Sequence, residues 1–120
     1  GIDPDTAFVA LIPYSGQVVT HFERRRELGL PDTQPLVDDM APLSYVRPDC
    51  RPMLILSGDR EREMLGRYEE NAYFWRMMRV AGHPDVRICE FDGFDHGNMP
   101  QAGHFVAVRY IREMERRMDR

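Results

Sequence analysis

The segment Pro52-Met53-Leu54-Ile55-Leu56-Ser57-Gly58-Asp59 constrains the fold more than any other part of the chain. A short apolar run opened by proline and closed by Ser-Gly-Asp suits a strand covered on both faces, as in a parallel sheet with helices above and below. Ala7-Phe8-Val9-Ala10-Leu11-Ile12, followed by the breakers Pro13 and Gly16, has the same character and predicts a strand over 8–12. Val86–Phe91 alternates instead, with Val86, Ile88 and Glu90 on one face and Arg87, Cys89 and Phe91 on the other. That pattern predicts a strand nearer the sheet edge.

Helix-length segments separate these runs. Over 66–81, Tyr68, Ala72, Trp75, Met78 and Ala81 recur at intervals of three and four, and Gly82 then Pro84 supply a stop. Over 101–118, Phe105, Val108, Ile111, Met114 and Met118 form an apolar stripe beside Glu113, Glu115, Arg116 and Arg117. Strand, helix, strand, helix is the order of parallel crossovers, so the expected fold class is α/β, a three-layer sandwich piece with three parallel strands. The connection over 17–52, interrupted by Pro31, Pro35, Pro42 and Pro48, predicts short helices at 21–28 and 35–40. It is a candidate substrate cover, with a plain crossover as the equal alternative.

Composition removes several function classes. A net charge of −4, with arginines spread along the chain, gives no electrostatic basis for nucleic-acid binding. The densest run, Arg24-Arg25-Arg26, reads as a solvated helix face. No apolar stretch approaches the roughly 20 residues of a membrane span, and Gly1-Ile2-Asp3-Pro4 does not resemble a signal peptide. With no initiator methionine, the chain is expected to begin inside a longer protein or after processing. Two cysteines, Cys50 and Cys89, make no disulfide framework. The four histidines lack metal-ligand spacing; His21, His83 and His104 are expected at the surface.

Chemistry is expected outside the carboxyl ends of the strands. Two polar clusters sit there, Ser57-Gly58-Asp59-Arg60-Glu61 after one strand and Gly93-Phe94-Asp95-His96-Gly97 after the next. Neighbouring parallel strands would bring a carboxylate of the first beside His96 of the second. A carboxylate on one imidazole nitrogen fixes the tautomer and leaves the other nitrogen free as a base. Each cluster also has a simpler reading: Asp95-His96-Gly97 as a turn with a capping histidine, and residues 59–63 as a solvated charged loop opening a helix.

These clusters, with Ala41-Pro42-Leu43-Ser44-Tyr45-Val46-Arg47 before them, resemble the C-terminal region of α/β-hydrolase esterases, and more narrowly bacterial esterase/lipase-type members. In that family the triad acid lies three residues after the glycine of a strand-ending His-Gly or Ser-Gly pair, and the histidine precedes a glycine on the loop after the last strand. The resemblance therefore implies Glu61 as acid and His96 as base. Aspartate is usual at the acid position, so Asp59 is the competing candidate.

The family's nucleophile elbow, Gly-x-Ser-x-Gly, is missing from this chain. Ser15 follows a strand and precedes Gly16, but lacks the glycine two positions earlier that a tight elbow needs; it reads better as a polar strand-end residue. The resemblance thus implies a piece of a serine hydrolase acting on a small-molecule ester, needing no cofactor or metal, with the nucleophile upstream. Tyr14, Gln17, Phe94 and Met99 are candidate pocket residues or equally packing. A bare apolar edge over 8–12 predicts association with the absent portion, or a homo-oligomer. The rival expectation is a non-catalytic α/β interaction or scaffold domain.

Overall fold

The computed structural model describes residues 1–118. In chain order its elements are helix α1 (Pro4–Ala7), helix α2 (Phe22–Glu27), strand β1 (Met53–Gly58), helix α3 (Arg67–Val80), strand β2 (Val86–Phe91) and helix α4 (Met99–Met118), with a 3-10 turn at Pro42–Tyr45 before β1. β1 and β2 pair in parallel, from Met53 opposite Val86 to Gly58 opposite Phe91. Every residue of β1 is buried, as its unbroken apolar run requires.

Alternation along β1 sorts the core into two layers. Met53 and Ile55 face α3, meeting Phe74 and Met78 together with Val18 and Val86. Leu54 and Leu56 face α4, meeting Met99, Tyr110 and Met114. The protein is therefore α/β with a helix layer on each side of a parallel sheet, as expected.

The third strand is shorter than expected. Residues 8–12 form no continuous strand; their neighbourhood touches β1 through two parallel bridges, Leu11 with Met53 and Tyr14 with Leu56. Leu11 accepts from Leu54 N–H and Pro13 accepts from Leu56 N–H, while Ser15 N–H donates to the Leu56 carbonyl. Pairing is thus shifted toward the carboxyl end of the run. Pro13 has no N–H to contribute, and Phe8 is drawn off as the cap of α1.

The helix at 21–28 appears as α2, but residues 35–40 are not helical. There the Asp38 carboxylate takes the Thr20 hydroxyl at 2.6 Å and the Met40 N–H at 2.9 Å. Such local side-chain bonding competes with helix formation.

Helix α3 stops where Gly82 implies. Gly82 at φ +94° donates to Arg79 O, and His83 N–H reaches back to Met78 O, a Schellman ending. Its buried stripe is Arg67, Asn71, Phe74 and Met78 rather than the expected Tyr68, Ala72, Trp75 and Ala81. Two polar residues turn the helix. Arg67 Nη1 donates to Ser15 O at 2.6 Å, and Asn71 Nδ2 donates to Gly16 O at 2.9 Å. In α4 the buried stripe is Met99, Gly103, Ala107, Tyr110 and Met114. Of the expected stripe only Met114 is in the core; Phe105, Val108, Ile111 and Met118 lie open.

Candidate active site

The carboxyl ends of β1 and β2 and the Pro13–Gly16 turn converge on one point. After Gly58 the chain turns tightly, and Asp59 organises the turn. Its backbone N–H donates to Phe94 O at 2.7 Å, and its carbonyl accepts from Arg62 and Glu63 N–H. Its carboxylate accepts from Glu61 N–H at 2.9 Å and from Gly93 N–H at 2.8 Å. These backbone donors, Gly93 first, hold the Asp59 carboxyl below its ordinary value. Asp59 therefore ties the two strand-end loops together, and among the described residues it makes no hydrogen bond to His96.

The turn carries Glu63 back over the end of β1. Glu63 Oε1 accepts from Gly58 N–H at 3.0 Å and from Ser15 Oγ–H at 2.5 Å. Its Oε2 accepts from Met64 N–H at 3.0 Å and lies 3.2 Å from His96 Nδ1. The Glu63 side chain has 0% of its surface exposed, against 46% for His96. Burial alone would raise the Glu63 pKa, but the Ser15, Gly58 and Met64 donors and the nearby imidazole outweigh it, leaving a net lowering. The absence of a side chain at residue 58 permits this return: a Cβ there would fall 2.6 Å from Phe94 O and 3.0 Å from Glu63 Cγ.

His96 is held by the turn that starts α4. Asp95 accepts from Gly97 and Asn98 N–H, both at 2.9 Å, while Asp95 N–H donates to Asn98 Oδ1 at 2.7 Å. The reciprocal bonds cap the helix and fix the backbone beside the imidazole. Nδ1 faces Glu63 and Ser15; Nε2 has no hydrogen-bond partner among the described residues.

The expected convergence of an acid and His96 at adjacent strand tips is present in the geometry, but with a different acid. Glu61 is exposed, and its carboxylate makes no hydrogen bond among the described residues. Doubling back over Gly58 takes five residues rather than three, so Glu61 falls on the outside of the turn. The missed signal is the position of Glu63, last in the charged run and immediately before Met64-Leu65.

Ser15 lies at the same point. It is 3% exposed, its backbone is at φ +47°, and its Oγ is 2.9 Å from His96 Nδ1. This contact is on the nitrogen that faces the acid, whereas a nucleophile must meet the other one.

The candidate pocket residues scatter. Met99 is fully buried in the core, and Phe94 and Tyr14 pack against that same cluster. The Tyr14 hydroxyl is 3.0 Å from His104 Nδ1. Gln17 borders a cleft with Phe22, Arg25 and Arg67. His83, expected at the surface, is buried where its Nε2 meets the Cys50 and Arg51 carbonyls. Among the described residues no group of three or more His, Cys, Asp or Glu is placed to hold a metal ion, and no helix is long and apolar enough to cross a membrane.

No family profile matches the sequence, and no curated protein does. Solved structures do. Esterase 2 of the planctomycete Thermogutta terrifontis, phosphoramylated by tabun, matches with a TM-score of 0.66 at 22% identity over 88% of this chain and 41% of that one. The propionate-bound form of the same thermophilic esterase matches at TM-score 0.64 and 20% identity, over 88% and 43%. Its apo form gives 0.64 and 22%, over 88% and 42%. This chain spans about two-fifths of the length of those esterase chains and, over that span, has the fold of part of an esterase.

Proposed function

We propose that this chain is the acid- and histidine-bearing part of a serine hydrolase that cleaves carboxylic esters of small molecules by acyl transfer, with the nucleophile supplied by polypeptide upstream of it. The observation that carries the reading is the buried Glu63 carboxylate against His96 Nδ1, with Nε2 left open. The shared fold with an esterase supports it.

In this mechanism Nε2 of His96 removes the proton from a serine hydroxyl as that oxygen attacks the ester carbonyl. The imidazolium then delivers the proton to the departing alcohol, leaving an acyl-enzyme. Water, deprotonated by the same nitrogen, then attacks the acyl carbon, and the imidazolium returns that proton to the serine oxygen as its bond to the acyl carbon breaks, releasing the acid. Glu63 keeps the imidazole oriented and stabilises its charged form, while Asp59 holds the two loops in register. The protons pass among the upstream serine, His96, the departing alcohol and water, so this mechanism calls on neither metal nor organic cofactor.

The test is hydrolysis of a nitrophenyl ester by two samples. The chain alone is expected to show no turnover above background, because an acid and a base without a nucleophile form no acyl-enzyme. The intact protein containing it should turn over, and His96→Ala should remove about six orders of magnitude of kcat. Turnover by the isolated chain that vanished in Ser15→Ala would place the nucleophile here and overturn the proposal.

A further inference from the structure

We propose that Ser15 is a positioning residue whose hydroxyl bridges His96 Nδ1 and the Glu63 carboxylate, committing the imidazole to the tautomer with its proton on Nδ1 and a bare Nε2. The inference rests on the reading of Glu63 and His96 as an acid–base pair.

Proton counting leads to it. A serine hydroxyl has one proton to donate and lone pairs to accept with. Ser15 Oγ lies 2.5 Å from Glu63 Oε1, and a carboxylate only accepts, so the hydroxyl proton goes there. The oxygen is then an acceptor toward His96 Nδ1 at 2.9 Å. Glu63 Oε2, at 3.2 Å from the same nitrogen, is also an acceptor. With two acceptors facing it, Nδ1 carries the proton. The serine contact is the shorter of the two, so Ser15 supplies a link that Glu63 alone makes less well.

The local backbone is built to hold this hydroxyl in place. Ser15 sits at φ +47°, a region a non-glycine residue enters only at a cost. Its N–H is tied to Leu56 O at 2.6 Å and its carbonyl to the buried Arg67 guanidinium at 2.6 Å. A residue needed only to turn the chain here would favour glycine, which adopts this conformation without strain. A side chain stands here where the backbone disfavours one, and among the described residues its hydrogen bonds go to Glu63 and His96.

The test is the tautomer of His96, read from the nitrogen chemical shifts of its ring in the 15N-labelled 120-residue chain. Wild type is expected to hold the proton on Nδ1. Ser15→Ala and Ser15→Gly should each shift the tautomer ratio toward Nε2–H by roughly threefold to tenfold, the weight of one hydrogen bond. Ser15→Gly relaxes the positive φ, so a shift in that variant is not a consequence of misfolding. In the intact hydrolase the same variants should lower kcat by a similar factor and leave KM unchanged. An unchanged ratio in Ser15→Gly beside a shifted one in Glu63→Gln would overturn the role of Ser15 alone. An unchanged ratio in Glu63→Gln would overturn the underlying acid–base pair.

Discussion

Glu63 and Glu61 are two residues apart, yet they stand in opposite environments, one sealed under the Pro13–Gly16 turn and the other in solvent. Under the proposed function, Glu63→Ala in the intact protein should cost roughly four orders of magnitude in kcat, while Glu61→Ala should stay within about threefold of wild type. Ester hydrolysis by the two variants side by side checks this. Acid stability offers a second handle. The folded-state pKa of Glu63 lies below its ordinary 4.5, so the folded chain binds fewer protons than the unfolded one across that window. Its contribution is complete above the ordinary value and is lost as pH falls through the folded value. Urea unfolding should therefore find Glu63→Gln less stable than wild type at about pH 7, with the gap narrowing toward about pH 3. That His96 would meet a carboxylate was legible from the order of strands and loops, because neighbouring parallel strands bring their carboxyl-end loops together. The acid was not, because the number of residues in the turn is set by the clearance over Gly58 and by the two Asp59 carboxylate bonds, none of which leaves a periodic trace.

Strand β1 is the element on which both layers depend. Ile55 and Leu56 are each 0% exposed and point to opposite faces. Ile55→Ala and Leu56→Ala should each cost about 2–5 kcal/mol by denaturant melting. Gly58→Ala is expected to be destabilising for a different reason, since its new Cβ would meet a carbonyl at 2.6 Å. A loss of about 2 kcal/mol, with His96 and Glu63 forced apart, is the expected result. Both named strands were readable from their apolar runs and breakers. The helix faces were read less well, and for a physical reason. In α3 the polar Arg67 and Asn71 outcompete Tyr68 and Ala72 for the interior because they satisfy the Ser15 and Gly16 carbonyls. In α4 a second apolar stripe is richer in large side chains than the buried one, so the sequence pattern is strongest on a face that the fold leaves open.

At the scale of the molecule, the radius of gyration is 15.2 Å, against about 13.6 Å for a compact domain of this length. The accessible surface of 7779 Å² exceeds the roughly 6,700 Å² of a typical monomer of this mass by about 1,000 Å². Much of the surplus is apolar: Phe8, Val9, Phe105, Val108 and Ile111 are all open, Phe105 at 81%. Under the proposed function, this is the surface that the remainder of the intact protein would cover. The isolated chain should then self-associate, and a double variant Phe105→Ser, Ile111→Ser should sediment closer to a monomer without losing its helical circular dichroism. A wild-type chain that stays monomeric at high concentration would contradict this. One consequence follows from where the relay is housed. Ser15, Gly58, Glu63 and His96 all belong to this one polypeptide, and their mutual bonds cross no boundary to another. Under the proposed function, a seam at this point would separate a serine from its base while leaving the proton-handling half assembled. On that reading, colour from a chromogenic ester would appear only when the serine-bearing and the histidine-bearing pieces were brought together.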